Sequence, residues 1–416
     1  MTPLYRYSRN VSSYALGGVL GLVALSVLYA QPACADDKDT ISIVPGLTVI
    51  HDDNLFRLSS SADPQTVLGK STKAEDITVS SVMLKINKPY SLQRFEFEAS
   101  LIDYSYKNFS YLSYVAYPYK AAWLWALTPN LHGNLTTART TSLNSFTDYT
   151  GYTRRNTHTD ENTRFDGVFD LSAAWHLLGG VSETTTTNSE ITRGEGDNRI
   201  KRAEAGLRHT LASGSTVSFT TRTGRGDYLN RPEPNPFAIL DNRFNDTENE
   251  IRVAWALTGN TSFDARLAHL ERHHSNYSQR DFSGNSGNLN LNWTITAKTS
   301  LVASVARELS SYQTLDSNFT KTDRIALMPY WQISAKTALR AKYDYARRDY
   351  LGGPVTQIIP ASNRRDDLHT AMIALEWQPY RSVSVSASLQ NEKRTSSQSG
   401  QDYKDNTISL SAQATF

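Results

Sequence analysis

From Asn406 to the C-terminus the chain alternates without a break. Ile408, Leu410, Ala412, Ala414 and Phe416 fall on one side, and Thr407, Ser409, Ser411, Gln413 and Thr415 on the other. Side chains in a strand point alternately to opposite faces, so this pattern predicts a β-strand with one apolar and one polar face. The same alternation recurs upstream. Phe95, Phe97, Ala99 and Leu101 form one such face, and Phe165 to Leu177 gives a longer one. Others are Ile251 to Leu257, Leu289 to Ile295, Ile325 to Ile333, Ala371 to Trp377 and Val383 to Leu389. Each apolar face has four to seven members, in keeping with the 9–11 residues that a tilted strand needs to cross hydrocarbon. No comparable helical stripe follows residue 35.

Turn signals give the pattern a direction. Short punctuators occur at 87–90, 128–130, 178–180, 213–214, 258–260, 297–299, 335–337 and 379–381. Between them lie long polar segments such as Thr140–Thr163, Arg225–Asn245 and Arg347–Asp367. Six tryptophans, Trp125, Trp175, Trp255, Trp293, Trp331 and Trp377, stand near the short turns, where an aromatic girdle belongs. The expectation is an all-β fold: a transmembrane antiparallel outer-membrane barrel of about 18 strands. Its termini and short turns would be periplasmic and its long loops extracellular. Sixteen strands is the alternative, because Leu131–Thr141 and Val181–Ile191 alternate only weakly. A final strand ending in an aromatic residue makes Ile408, Leu410 and Phe416 the candidate assembly signal, read by the barrel assembly machinery.

Residues 1–35 carry Arg6 and Arg9, an apolar stretch from Ala15 to Ala30, and Ala33-Cys34-Ala35 before a run of acids. This is the pattern of a cleaved secretory signal, leaving 36–416 as a single barrel domain. Cleavage removes both arginines and the only cysteine, so the mature chain has a formal charge of zero and no disulfide. A balance of 43 basic against 41 acidic residues in the whole chain argues against nucleic acid as a partner. Localisation in the outer membrane of a Gram-negative bacterium follows, with its lipid as one partner.

Candidate chemistry is sparse. Neither HExxH nor CxxC occurs, and the adjacent His273 and His274 point to opposite faces of a strand. Gly284-Asn285-Ser286-Gly287 reads as a loop turn, and Arg225-Gly226-Asp227 as three ordinary loop residues. No enzyme, metal or cofactor is expected. With the apolar face assigned to lipid, the lumen receives Glu96, Glu98, Asp166, Asp170, Arg252, Asp264, Arg266, Arg324, Arg340, Lys342 and Asp344. A midplane Arg or Lys facing lipid would cost about 2–4 kcal/mol, which argues for the inward assignment. Mixed charge suits a neutral or weakly charged polar solute. Tyr104, Tyr106, Tyr343, Tyr345 and Trp331 offer either sugar-stacking surfaces or interfacial anchors.

Several stretches together resemble a known family. They are Pro45-Gly46-Leu47, Asp52-Asp53-Asn54-Leu55-Phe56-Arg57-Leu58, Ser278 to Gly284, Trp293 to Leu301, Arg307 to Thr314 and Thr322 to Leu339. Their order and spacing resemble the EpsL-type β-barrel porins found with exosortase-associated exopolysaccharide biosynthesis operons. The resemblance runs from about residue 40 to the C-terminus and brings no catalytic residues. It implies an outer-membrane channel that exports an exopolysaccharide chain, with separate periplasmic and inner-membrane synthesis and export proteins as partners. A polymer exporter needs a wide lumen that holds each sugar weakly. Two alternatives stand beside it. One is a general or sugar-uptake porin, which trimer-forming surfaces and a long constriction loop folded into the pore would favour, although the sequence identifies no such loop; the other is a structural or adhesive barrel acting through its surface loops.

Overall fold

The computed structural model describes residues 40–147, 152–190, 196–231, 241–312, 317–352 and 362–416. The leader read at 1–35 lies outside them. Nineteen strands form one sheet: β1 (Ile41–Asp52), β2 (Glu75–Tyr90), β3 (Gln93–Tyr106), β4 (Tyr114–Ala116), β5 (Tyr119–Thr128), β6 (Leu131–Leu143), β7 (Thr157–Asp170), β8 (Trp175–Asn188), β9 (Asn198–Thr210), β10 (Thr216–Tyr228), β11 (Arg243–Thr258), β12 (Thr261–His274), β13 (Phe282–Thr296), β14 (Thr299–Ser311), β15 (Phe319–Ser334), β16 (Thr337–Leu351), β17 (Arg365–Tyr380), β18 (Val383–Ser396) and β19 (Tyr403–Ala414). A five-residue helix, α1 (Pro64–Leu68), lies between β1 and β2. No described helix is long and apolar enough to cross a membrane.

β4 and β5 are one crossing broken at Tyr117-Pro118. Both pair with β3, and the Pro118 carbonyl accepts from the Ser100 amide across the gap. The ring therefore has eighteen crossings, each antiparallel to its neighbours. It closes where β1 pairs with β19 from Gly46↔Gln413 to Asp52↔Thr407, and Phe416 exchanges both backbone hydrogen bonds with Ile43. Closure leaves no open edge, the condition hydrocarbon imposes on a sheet.

Opposed residues of an antiparallel pair share a face, so the register carries one outer face around the whole ring. That face is apolar near the short turns: Phe263, Ala265 and Leu267 on β12, or Trp377, Leu375 and Ile373 on β17. All seven tryptophans stand on it. Further along the strands the same face turns polar, with His269, Glu271 and His273 on β12 and Arg347 and Asp349 on β16. Strands reach 16 residues in β2, β11, β15 and β17, against the 9–11 a crossing needs. They extend past the apolar band towards the long loops.

The short turns share a device. In Thr128-Pro129-Asn130, Thr258-Gly259-Asn260, Thr296-Ala297-Lys298 and Ser334-Ala335-Lys336 the first residue's hydroxyl accepts from the amide two residues on. Such local side-chain bonds satisfy the turn and set its length. Two expected turns are misplaced. Residues 87–90 are the last of β2, paired with β3, and the reversal falls at Ser91-Leu92. Leu178-Gly179-Gly180 lies inside β8, and the reversal is at 171–174, where the Ser172 hydroxyl accepts from Ala174 and Trp175. Gly284–Gly287 and Arg225–Asp227 are likewise strand residues, in β13 and β10. The weakly alternating Leu131–Thr141 and the first part of Val181–Ile191 lie in β6 and β8, which removes the sixteen-strand alternative.

One tryptophan packs into the wall. Trp125 is only 7% exposed although it faces outward, because Gly133 and Gly167 leave room for its ring. It stacks on Phe165 with centroids 5.5 Å apart. A Cβ at Gly133 would lie 2.6 Å from that ring and 2.0 Å from the Asp166 carbonyl oxygen. Gly133→Val is expected to cost about 1–3 kcal/mol by overpacking. The urea midpoint of the refolded barrel should fall accordingly; an unchanged midpoint would mean the wall yields freely there.

Candidate functional site: an obstructed, charge-balanced lumen

The face opposite the apolar one encloses the lumen. All eleven charged residues singled out from the sequence occupy it by register. Glu98 faces Lys85 and Lys120 across the neighbouring strands, while Glu96 pairs with Arg94 at 3.0 Å. Asp166 meets Asn134 and Arg164, each at 3.2 Å, and Asp170 accepts from His176 at 2.5 Å. On the far wall Asp344 lies 2.7 Å from Arg324 and 3.7 Å from Lys342, and Arg340 lies 2.5 Å from Glu376. Asp264 stands opposite Ala254 and Asn290.

Arg252 and Arg266 belong to a larger lattice that the sequence reading missed in part. Arg222 bonds Glu204 at 2.8 Å, Glu248 at 2.6 Å and Glu250 at 2.9 Å. Arg266 bonds Glu250 at 2.5 Å, and Arg252 lies 3.4 Å from it. Arg164 forks onto Glu204 and reaches Asp166. Four guanidiniums thus meet four carboxylates across β7 to β12. Charges that are paired this way stiffen the wall and leave no single-sign filter. The missing members, Arg164, Glu204, Arg222, Glu248 and Glu250, sit on the polar side of strands whose apolar partners are weak, such as Thr221 and Asn249.

An apolar segment also enters the lumen. Leu55, Phe56 and Leu58, which follow β1, pack against Ile50, Ile77 and Tyr106. These three strand residues face inward, since Ile50 and Ile77 oppose each other beside the outward Val49. The segment is therefore folded inside the barrel. Phe109, Leu112, Leu143 and Phe146 complete the cluster, with Phe56 at 4.8 Å from Phe109 and 4.6 Å from Phe146. Glu75 anchors its rear by accepting from the amides of Asn108 and Phe109, each at 2.7 Å.

Arg57 fixes the segment to the closing seam. Its φ of +53° is strained for a residue with a side chain. The guanidinium bonds Asp52 at 2.9 Å, lies 3.1 Å from Asp405 and stands 3.7 Å from Glu392. Burial works to lower its pKa; Asp52, Asp405 and Glu392 more than reverse this and leave it raised. Asp52, Asp53 and Asp405 bring carboxylate oxygens within 4.8 Å of one another, and Arg57 supplies the positive charge between two of them. Asn54 donates to the Lys404 carbonyl, and Asp53 accepts from Asn406. The sequence signal was the adjacent pair Leu55-Phe56, which breaks alternation within a polar loop.

The aromatics divide. Tyr104 and Tyr106 belong to the inner cluster, with Tyr104 stacked on Tyr114 at 4.6 Å. Tyr343, Tyr345 and Trp331 stand on the outer face and line no lumen. Of the assembly candidates, Ile408, Leu410 and Phe416 all lie exposed on the outer face.

Residues 264–416 match the family described as "Putative beta-barrel porin 2". The chain is a porin-like barrel of the outer membrane. No curated protein matches it in sequence. Among solved structures it is similar to OccK1 (OpdK) of Pseudomonas aeruginosa, with 8% identity, a TM-score of 0.50, and coverage of 90% of this chain and 99% of that one. OccK9 (OpdG) of the same organism gives 12% identity and a TM-score of 0.51, over 90% and 98% of the two chains. OpdK has also been solved with vanillate, at the same identity, coverage and score. At such identity the likeness concerns the fold. With the short turns and termini at the periplasmic end, the long loops and the inner cluster lie towards the cell exterior.

Arg57→Ala would leave three buried carboxylates without their cation, a change costing about 3–5 kcal/mol. The inner segment should then be cut faster by added protease, and single-channel conductance should rise. Equal conductance would show that the segment does not limit the pore. On the far wall, Arg340→Glu sets a second carboxylate beside Glu376. Reversal potentials in planar bilayers should shift towards cation preference, and unchanged selectivity would take this position out of the conducting path.

Proposed function

We propose that this barrel is a diffusion porin for the uptake of small polar solutes. The observation that carries this reading is the apolar segment Leu55–Leu58 fastened inside the outer half of the lumen. It narrows the route, as a constriction loop does, and a narrowed route favours solutes of monosaccharide size over a sliding polymer. The charge-balanced wall supports the same class. Paired Arg and Glu present hydrogen-bonding groups along the path while holding no ion strongly, so a neutral or weakly charged solute crosses without being trapped. The vanillate bound by OpdK is a small solute of comparable scale.

Export of an exopolysaccharide, implied by the resemblance to EpsL-type porins, asks for a wide lumen and for periplasmic and inner-membrane partners. The fastened inner segment weighs against it. The two readings part in one experiment. Proteoliposomes holding the purified barrel should swell in monosaccharides and disaccharides but not in dextrans, and deletion of the gene should leave secreted polysaccharide unchanged. Periplasmic accumulation of polysaccharide in the deletion strain, reversed by complementation, would overturn the uptake reading in favour of export.

A further inference from the structure

The outer face carries a feature that neither the apolar band nor the lumen uses. Where the band ends on β15–β18, a groove of about 600 Å³ opens, lined by Ile325, Tyr343, Tyr345, Arg347, Asp367 and His369. Ile325 opposes Tyr345, Tyr345 opposes His369, and Arg347 opposes Asp367, all on the lipid side. Its polar groups are already arranged. The Tyr345 hydroxyl donates to Asp367 Oδ1 at 2.5 Å, and Arg347 Nε donates to the same oxygen at 2.9 Å. The Tyr343 hydroxyl and His369 Nδ1 are 3.0 Å apart, and the Tyr345 and His369 rings lie 4.9 Å apart.

Beside the groove two lysines stand opposite each other. His369 opposes Lys393, and Lys393 opposes Lys404 on the next strand. Both lysines are exposed, and neither has an ion-pair partner among the described residues. Like charges directly opposed across strands are unfavourable unless an anion lies between them. The backbone positions of the two lysines lie one and two strand spacings, about 5 and 10 Å, from that of His369. On the turn side of the groove the same face continues with Leu327, Ile373 and Leu389, exposed to hydrocarbon.

A ligand suited to this place has three parts: acyl chains for the apolar side, a polar ring for the tyrosines and the Arg347–Asp367 pair, and negative charge for the lysines. We propose that the groove binds a phosphorylated, acylated sugar lipid of the outer leaflet. The phosphate lies between Lys393 and Lys404, and the sugar lies against Tyr343 and Tyr345, with Arg347 and Asp367 meeting its hydroxyls. A glycerophospholipid offers the acyl chains and the charge but no sugar ring for the aromatic wall.

The test uses the folded full-length barrel in mild detergent, observed by native mass spectrometry. The probes are a bisphosphorylated acylated glucosamine disaccharide (lipid A), the same lipid without its phosphates, and phosphatidylglycerol. Retention of the phosphorylated glycolipid alone is the expected result. Lys393→Gln with Lys404→Gln should weaken that retention at least about tenfold, as expected for two lost lysine contacts with an anionic headgroup. Tyr345→Ala should weaken it too, while single-channel conductance stays at the parent value in both variants. Equal retention of the dephosphorylated lipid or of phosphatidylglycerol would overturn the proposal. So would unchanged retention in the double lysine variant.

Discussion

Hydrocarbon offers no partner to a backbone N–H or C=O, and everything else in this protein follows from that demand. Eighteen crossings meet it by pairing with both neighbours, and the ring is completed by β1 against β19. An antiparallel ring keeps the two faces distinct only if its register stays in phase all the way round. Here the phase holds across bulges near five of the short turns and across the Pro118 break. The apolar residues consequently form one continuous exterior, and the polar residues are committed to the interior in a single decision.

That commitment places many charges inside, and the wall deals with them by mutual pairing. Arg222, held between Glu204, Glu248 and Glu250, is the centre of the densest set. Its carboxylates are nearly buried, and each is held by a further arginine as well: Glu204 by Arg164, Glu248 by Arg266, and Glu250 by Arg252 and Arg266. The same logic operates at the other side of the barrel, where Arg57 gathers Asp52, Asp405 and Glu392. There the cation comes from a loop rather than a strand, and the pairing therefore holds an apolar segment within the lumen as well as neutralising the wall.

Much of the fold was legible because strand alternation is a direct geometric consequence of the pleat. Residues such as Leu289, Leu291 and Trp293 announce an outer face without reference to any partner. Turns were legible where a hydroxyl residue stands two places before Asn or Lys. They were misread where glycine carried the signal: Gly179-Gly180 looked like a reversal, but Gly180 faces inward at a close crossing with Phe165 and Asp166. Continuous alternation from Phe165 to Leu177 concealed the real turn, since Leu171 and Ala173 keep the period while the backbone reverses. The inner segment showed only as the broken alternation at Leu55-Phe56, and its place inside the lumen was not legible. Leu55, Phe56 and Arg57 are local in sequence, but what buries them comes from β2, β3, β6, β18 and β19. The orientation of Tyr343 and Tyr345 depended on register, and a tyrosine suits either face.

Arg57 has a consequence in time. Its acceptors are contributed by β1, β18 and β19, the first crossing and the last two in synthesis, so the site that holds it does not exist until the ring has shut. Before that moment the segment has only its apolar contacts with β1, β2, β3 and β6 and lacks the ionic anchor on β18 and β19. Closing the ring and completing the partners of this one arginine are therefore the same event.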